Sequence, residues 1–223
     1  MKFTFLIMAI VTPVEMIIGF IIALLLDQVP KRPRGIFIAL ALTTYVSVPV
    51  VASYMFRGLF YAGGLGSWAF EAVTGNRLIP NEFSMKILII VYQIWRDTPF
   101  AILVSFAGLQ SLPDELLEAA AIDGAGPLKQ ILYVTIPYLS PILMLIAIIV
   151  MGALYNLFDP IYVITGMNPV FRADTIMAYN WRTATQLDQL GRANAMALLS
   201  VVGAMLVRIP FLYRTWRTQT ETH

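Results

Sequence analysis

The apolar residues of this chain are gathered into five blocks, Phe3 to Leu26, Ile36 to Phe56, Ile87 to Leu109, Tyr138 to Phe158 and Ala193 to Tyr213. Each block is close to the ~20 residues that a helix needs to cross about 30 Å of hydrocarbon. A helix satisfies its own backbone polar groups, which a bilayer interior cannot do for it. The composition agrees: 59% of residues are hydrophobic, 13% are charged and the mean hydropathy is +0.76. That is more apolar surface than one soluble core of 223 residues can hide. The fold class expected is all-α, a polytopic bundle of five transmembrane helices in one domain over residues 1–223, with no internal repeat, low-complexity tract or flexible linker. Pro13, Pro49 and Pro99 fall inside three of the blocks and predict kinks. The first block is longer than a signal-peptide core and is not followed by a small-residue cleavage site, so it reads as a retained span.

Several kinds of chemistry are excluded by what is missing. The chain has no cysteine, and its one histidine, His223, is the last residue. Disulfides, thiolate metal sites and His-based catalytic triads are therefore out of reach. No GxxxxGK[ST] phosphate loop is present, and Gly63, Gly64 and Gly66 have neither its spacing nor its lysine. A net charge of +2 with scattered basic residues gives no surface for nucleic acid. Catalytic residues, metal ligands and a cofactor are accordingly not expected.

Orientation follows from the tendency of Lys and Arg near span ends to stay on the cytoplasmic side. Lys31, Arg32 and Arg34 crowd the first short loop, and Arg208, Arg214 and Arg217 flank the end of the last block. Loops 57–86 and 159–192 then face outward, and loop 110–137 faces the cytoplasm. Arg172, Arg182 and Arg192 in the second outer loop run against this pattern. Arg208 is expected to snorkel to the cytoplasmic interface.

The stretch between the third and fourth blocks has the punctuation of two short helices. Ser111 and Asp114 give a start resembling a capping box, Pro113 sits in the first turn, and Gly124 with Gly126 ends the run. Twelve helical residues would reach roughly 18 Å, too short to cross a membrane. A second helix is predicted from Pro127, with Leu128, Ile131 and Leu132 on one face and Pro137 closing it before the fourth span.

Glu118-Ala119-Ala120, Asp123-Gly124-Ala125 and Thr135-Ile136-Pro137 place a glycine six residues after the glutamate and a proline thirteen after that glycine. This pattern resembles the EAA signature of the permease subunits of ABC importers. Pro99-Phe100, the run Ala107 to Pro113, and the run Phe158 to Gly166 are similar to the sugar-type branch, although Met167-Asn168-Pro169 replaces its usual Gly-Gly-Pro. Gly19, Ala23 and Lys31 to Gly35 resemble that branch's second span and following loop, so the chain looks like the five-span core without the usual first helix. The resemblance implies paired cytoplasmic coupling helices at about 110–137, with Glu118, Ala119, Ala120, Asp123, Gly124, Ala125 and Pro137 meeting an ATPase subunit. It also implies a place in a prokaryotic inner membrane, two ATPase subunits, a second related permease, an extracytoplasmic binding protein, and a carbohydrate or polyol as solute. The subunit itself would do no bond chemistry. The plainer alternative for the loop is an amphipathic hairpin lying on the membrane surface.

Ionisable side chains within spans usually face the bundle interior or a wet path, which makes Arg96 and Asp97 candidates for the solute path. Glu15 is of the same kind. Sugars bind through hydroxyl hydrogen bonds and by stacking on rings, so Tyr92, Trp95, Tyr155 and Asn156 are further candidates, against the alternative that they serve packing. Trp68, Tyr179 and Trp181 in the outer loops read as headgroup anchors or contacts for a delivering protein. A rival class is an ion-coupled secondary transporter that would use Glu15 and Asp97.

Overall fold

The computed structural model describes residues 2–61, 63–75 and 80–220, with the side chains of 207 and 210–220 left out. His223 and the side chains of Arg214 and Arg217 lie outside the described residues. Every element described is a helix. Two long ones, α1 (Lys2–Asp27) and α5 (Glu82–Leu109), share the largest helix–helix contact. The Lys86 ammonium sits 5.9 Å from the centre of the Phe3 ring, and Gly19 meets Ala101 so closely that a Cβ on it would lie 2.6 Å from the alanine's own. At the far end Gln110 Nε2 donates to Asp27 Oδ1 at 2.6 Å. The partners stay the same 83 residues apart, to within one, from end to end. The two helices are therefore parallel and in register, and the chain must return across the bundle between them.

The return is made by α2 (Lys31–Val46) and α3 (Pro49–Phe60), so the block Ile36 to Phe56, expected as a kinked span, is built from two helices. The two helices meet at 94°. Proline disfavours a helical residue before it and cannot donate to the turn behind it. Ser47 and Val48 are accordingly extended, with ψ of 143° and 125°, and Pro49 restarts the helix at its first turn. The Tyr92 hydroxyl donates to the Pro49 carbonyl at 3.0 Å and ties the bend to α5. Pro13 and Pro99, by contrast, sit inside unbroken helices.

After the short α4 (Leu65–Thr74) and α5, the chain makes α6 (Asp114–Ile122) and α7 (Pro127–Gln130), a π-helical turn over Ile131–Thr135, and α8 (Ile136–Tyr155). α9 (Asp159–Thr165), α10 (Ile176–Thr185) and α11 (Leu190–Thr220) complete it. α11 packs antiparallel on α8, since Gly203 meets Tyr155 while Arg208, further along α11, meets Gly152, further back along α8. Part of the predicted outer loop 159–192 is folded into the bundle. Ile161 and Ile164 of α9 and Ala178 of α10 are buried in one core with Ile7, Met85, Tyr92 and Ile146. Arg57 Nη1 fastens α3 to α9 by donating to the Val163 carbonyl at 2.6 Å. Large apolar side chains such as Ile17, Leu40, Ile149 and Leu198 point outward instead, which suits lipid as the surrounding solvent.

Candidate functional site

Residues 110–137 form a knuckle at the end of the bundle where α1 and α5 finish. α6 covers nine residues rather than twelve, and the predicted capping box is not made. Pro113 occupies the N-cap position with no side-chain bond, and the Ser111 hydroxyl donates back to the Gly108 carbonyl at 2.7 Å. A proline at the N-cap offers no side-chain acceptor, so the cap bond is not made. The far end is well defined. Gly124 has φ +80°, Ala125 N donates to Ala120 O at 2.9 Å, and Gly124 N donates to Ala121 O at 3.0 Å. Those paired bonds are the Schellman closure, which needs a left-handed residue at Gly124.

Pro137 does not end the second helix. Residues 127–155 run as one helix, with the π turn lying just before the proline. Ile136 N donates five residues back to Ile131 O, and this wider turn makes room for the ring of Pro137. The knuckle is thus rigidly continuous with α8. Glu118, Ala119, Asp123 and Gly124 are exposed, Ala120 and Ala125 half-buried. Ile122, Leu128 and Tyr133 are bare, at 87%, 69% and 76% exposure. A cavity of about 380 Å³, lined by Asp27, Gln110, Asp114, Leu117, Gln130 and Thr135 among others, separates the knuckle from the bundle.

Four of the predicted path residues share one stretch of α5. Arg96 Nη1 meets Asp97 Oδ1 at 2.6 Å, and Gln93 Nε2 donates to the other oxygen of Asp97. By the α1–α5 register Glu15 stands level with Asp97, and it interacts electrostatically with both Asp97 and Arg96. Glu15 is fully buried, and neither of its oxygens has a protein partner. Thr12 Oγ1, Gln93 Oε1 and Arg96 Nε are likewise buried without partners, so the α1–α5 seam holds a polar cluster with unused capacity. Gln93 and Thr12 were not picked out from sequence. The available signal was their helical spacing, one turn before Asp97 and Glu15 respectively.

Tyr92 is 1% exposed with its hydroxyl committed to Pro49, which makes it a brace for the bend rather than an open surface. Trp95 is 44% exposed and packs on Phe56 at 5.9 Å and Tyr92 at 6.2 Å, so its ring is the accessible one. Tyr155 and Asn156 lie at the end of α8. Tyr155 is buried, and Asn156 is exposed with Nδ2 donating to the Gly152 carbonyl at 3.0 Å. Trp181 forms a ring cluster with Phe158 and Tyr162, with centroids 5.3 to 5.6 Å apart. Arg208 does not snorkel toward the knuckle end. Its guanidinium lies against Gly152 near the opposite end of α8. Among the described residues no group of His, Cys, Asp and Glu side chains is arranged to hold a metal ion.

The described residues thus form a bundle of apolar helices with a bare knuckle rooted in one of them. Residues 3–213 match the family of binding-protein-dependent transport system inner membrane components, and the chain belongs to that family. It is 30% identical over 210 residues to the probable ABC transporter permease protein y4oQ of Sinorhizobium fredii, which covers 91% of this chain and 66% of y4oQ. It is 29% identical over 203 residues to the trehalose/maltose transport system permease protein MalF of Thermococcus litoralis, covering 89% of this chain and 68% of that one. Against the sn-glycerol-3-phosphate transport system permease protein UgpA of Yersinia enterocolitica the identity is 26% over 217 residues, covering 95% and 73%. A crystal structure of a bacterial alginate ABC transporter, in complex with an alginate pentasaccharide-bound periplasmic protein, superposes with a TM-score of 0.86 at 19% identity, over 98% of this chain and 77% of that one. That likeness establishes the fold. The chain thus spans 66% of the length of y4oQ and 68% of that of MalF.

Proposed function

We propose that this chain is the permease subunit of an ATP-driven importer of a carbohydrate or polyol, forming half of the translocation path and taking its drive through the α6–α7 knuckle. The observation that carries the reading is mechanical. The knuckle is closed by a Schellman turn, exposes Ile122, Leu128 and Tyr133, and continues without a break into a span. Bare apolar side chains on a rigid projection ask for a partner with a cleft. Two ATPase subunits would supply such clefts on the cytoplasmic side, and their closure on ATP would tilt α8 and switch the bundle from one access to the other. A second related permease would complete the path, and an extracytoplasmic binding protein would deliver the solute. The subunit makes and breaks no bonds.

The names of the relatives support the solute class: trehalose and maltose for MalF, sn-glycerol-3-phosphate for UgpA and alginate for the superposed transporter. Within the bundle Trp95, Arg96 and Asp97 on α5, with Tyr155 and Asn156 on α8, are the residues assigned to the path, and Tyr92 holds α3 in place behind them. Co-purification tests the assembly. The chain expressed with its neighbouring genes should bring down an ATPase and a second permease from mild detergent, and recovery of the chain alone under conditions that keep related complexes intact would contradict it.

The polar cluster around Glu15 and Asp97 favours a second reading, ion-coupled transport. Uptake that survives ATP depletion but stops when the ion gradient is collapsed selects that reading.

A further inference from the structure

The contact between α8 and α11 holds a cation that neither helix can neutralise. α8 has no charged residue, and α11 has arginines but no Asp or Glu. Arg208 is half-buried against Gly152, where a Cβ would come within 2.9 Å of the guanidinium carbon, so an added methyl would oblige the flexible arginine tip to shift. Tyr155, from the next turn of α8, directs its hydroxyl to Gly203 of α11, within 2.6 Å of where a Cβ would stand. Among the described residues Arg208 has neither an ion pair nor a hydrogen bond. The contact therefore carries one permanent positive charge whose guanidinium donors find no partner among the described residues.

Depth makes this costly. Near the knuckle Gly108 of α5 touches Leu139 and Ile142 of α8. Gly152 lies further along α8 by roughly 15 Å or more at 1.5 Å per residue. That is about half of a ~30 Å hydrocarbon layer, where an unpaired charge is expensive and marks a path or a partner. Arg96 on α5, by contrast, already has Asp97.

We propose that Arg208 recognises an acidic substituent, a carboxylate or a phosphate, on the transported solute. The planar fork matches either group through two parallel hydrogen bonds. The arginine then acts as a charge filter on the α8–α11 side of the path. The inference rests on the permease reading above.

The test uses the complete complex in liposomes, with its ATPases, second permease and binding protein. ATP-driven uptake is measured for a uronic acid trisaccharide, for its carboxyl-reduced neutral counterpart and for glycerol 3-phosphate. The expected result is that an acidic solute is carried in preference to the neutral one. Arg208→Gln should cut acidic uptake roughly tenfold or more, the size of one charge-assisted hydrogen bond, while any neutral uptake is spared. Arg208→Lys should retain part of the acidic uptake, and Gly152→Ala, which obliges only the flexible guanidinium tip to shift, should reduce it less than the Gln variant does. Wild-type complex that carries the neutral trisaccharide as well as the acidic one overturns the inference, and so does a Gln variant that loses both alike. The wild-type comparison stands even if Arg208→Gln does not assemble, which size-exclusion chromatography reports. ATP-independent uptake of every solute, or none at all, overturns the permease reading itself and this inference with it.

Discussion

Gly124 is the hinge pin of the knuckle, and replacing it separates backbone strain from crowding. Its φ is +80°, and a Cβ there would meet no atom within 4 Å. Any effect of substitution therefore comes from forcing an L-residue into the left-handed region, about 1–2 kcal/mol for alanine. That shifts the population of the closed turn by a factor of about 5–30. Asparagine tolerates this region better, and valine, branched at Cβ, tolerates it worse. Two residues on, Gly126 is also surrounded by open space but has φ −69°, which any residue adopts. ATP-driven uptake by the reconstituted complex should then fall in the order Gly, Asn, Ala, Val at position 124, while Gly126→Ser stays at the wild-type level. A Gly124→Val complex that transports normally, or a Gly126→Ser complex that is equally damaged, would refute this account of the turn.

Gly19→Val drives a side chain into the backbone carbon of Ala101 at 3.0 Å and the amide of Ile102 at 3.1 Å, which cannot rotate aside. Thermal unfolding in detergent should show a loss of about 1–3 kcal/mol, the usual cost of overpacking. Asp97→Ala strips Arg96 and Gln93 of their shared acceptor in a buried site, and a destabilisation of about 3–5 kcal/mol is expected. Glu15→Gln breaks no partner bond and should unfold at or above the wild-type temperature. Tyr92→Phe removes the brace on Pro49 and should cost about 1 kcal/mol, read in the same melting experiment.

Much of the bundle was legible from the sequence because bilayer helices write their length in unbroken apolar runs. The break between the two helices of the knuckle could be read too, since Gly124 permits the left-handed turn and Pro127 opens the next helix. What escaped depended on contacts between distant residues. Pro49 announced a kink, but a right-angled break also needs Tyr92 on another helix to hold the restarted turn. Pro137 suggested a stop, and it became an interior residue because a π turn relieved it, a feature with no simple sequence signal. Isoleucines of α9 gave no span-length run, yet they are core residues because α3 and α5 leave a hollow for them. Arg208 looked like a snorkelling residue from its place near a basic end, and only the packing of α11 on α8 shows which way it turns. Among the path candidates, Tyr92 is buried with its hydroxyl on Pro49, a contact between distant residues that its type alone does not announce.

Site-directed cross-linking tests the motor contact most directly, and the absence of native cysteine makes each introduced thiol unique in this chain. In the assembled complex, Ala119→Cys and Ile122→Cys should each form a bond with a cysteine placed in a cleft of the ATPase subunit, and the yield should change when ATP is bound. A thiol at either position that reacts with a lipid-dissolved reagent and never with the ATPase would contradict the account.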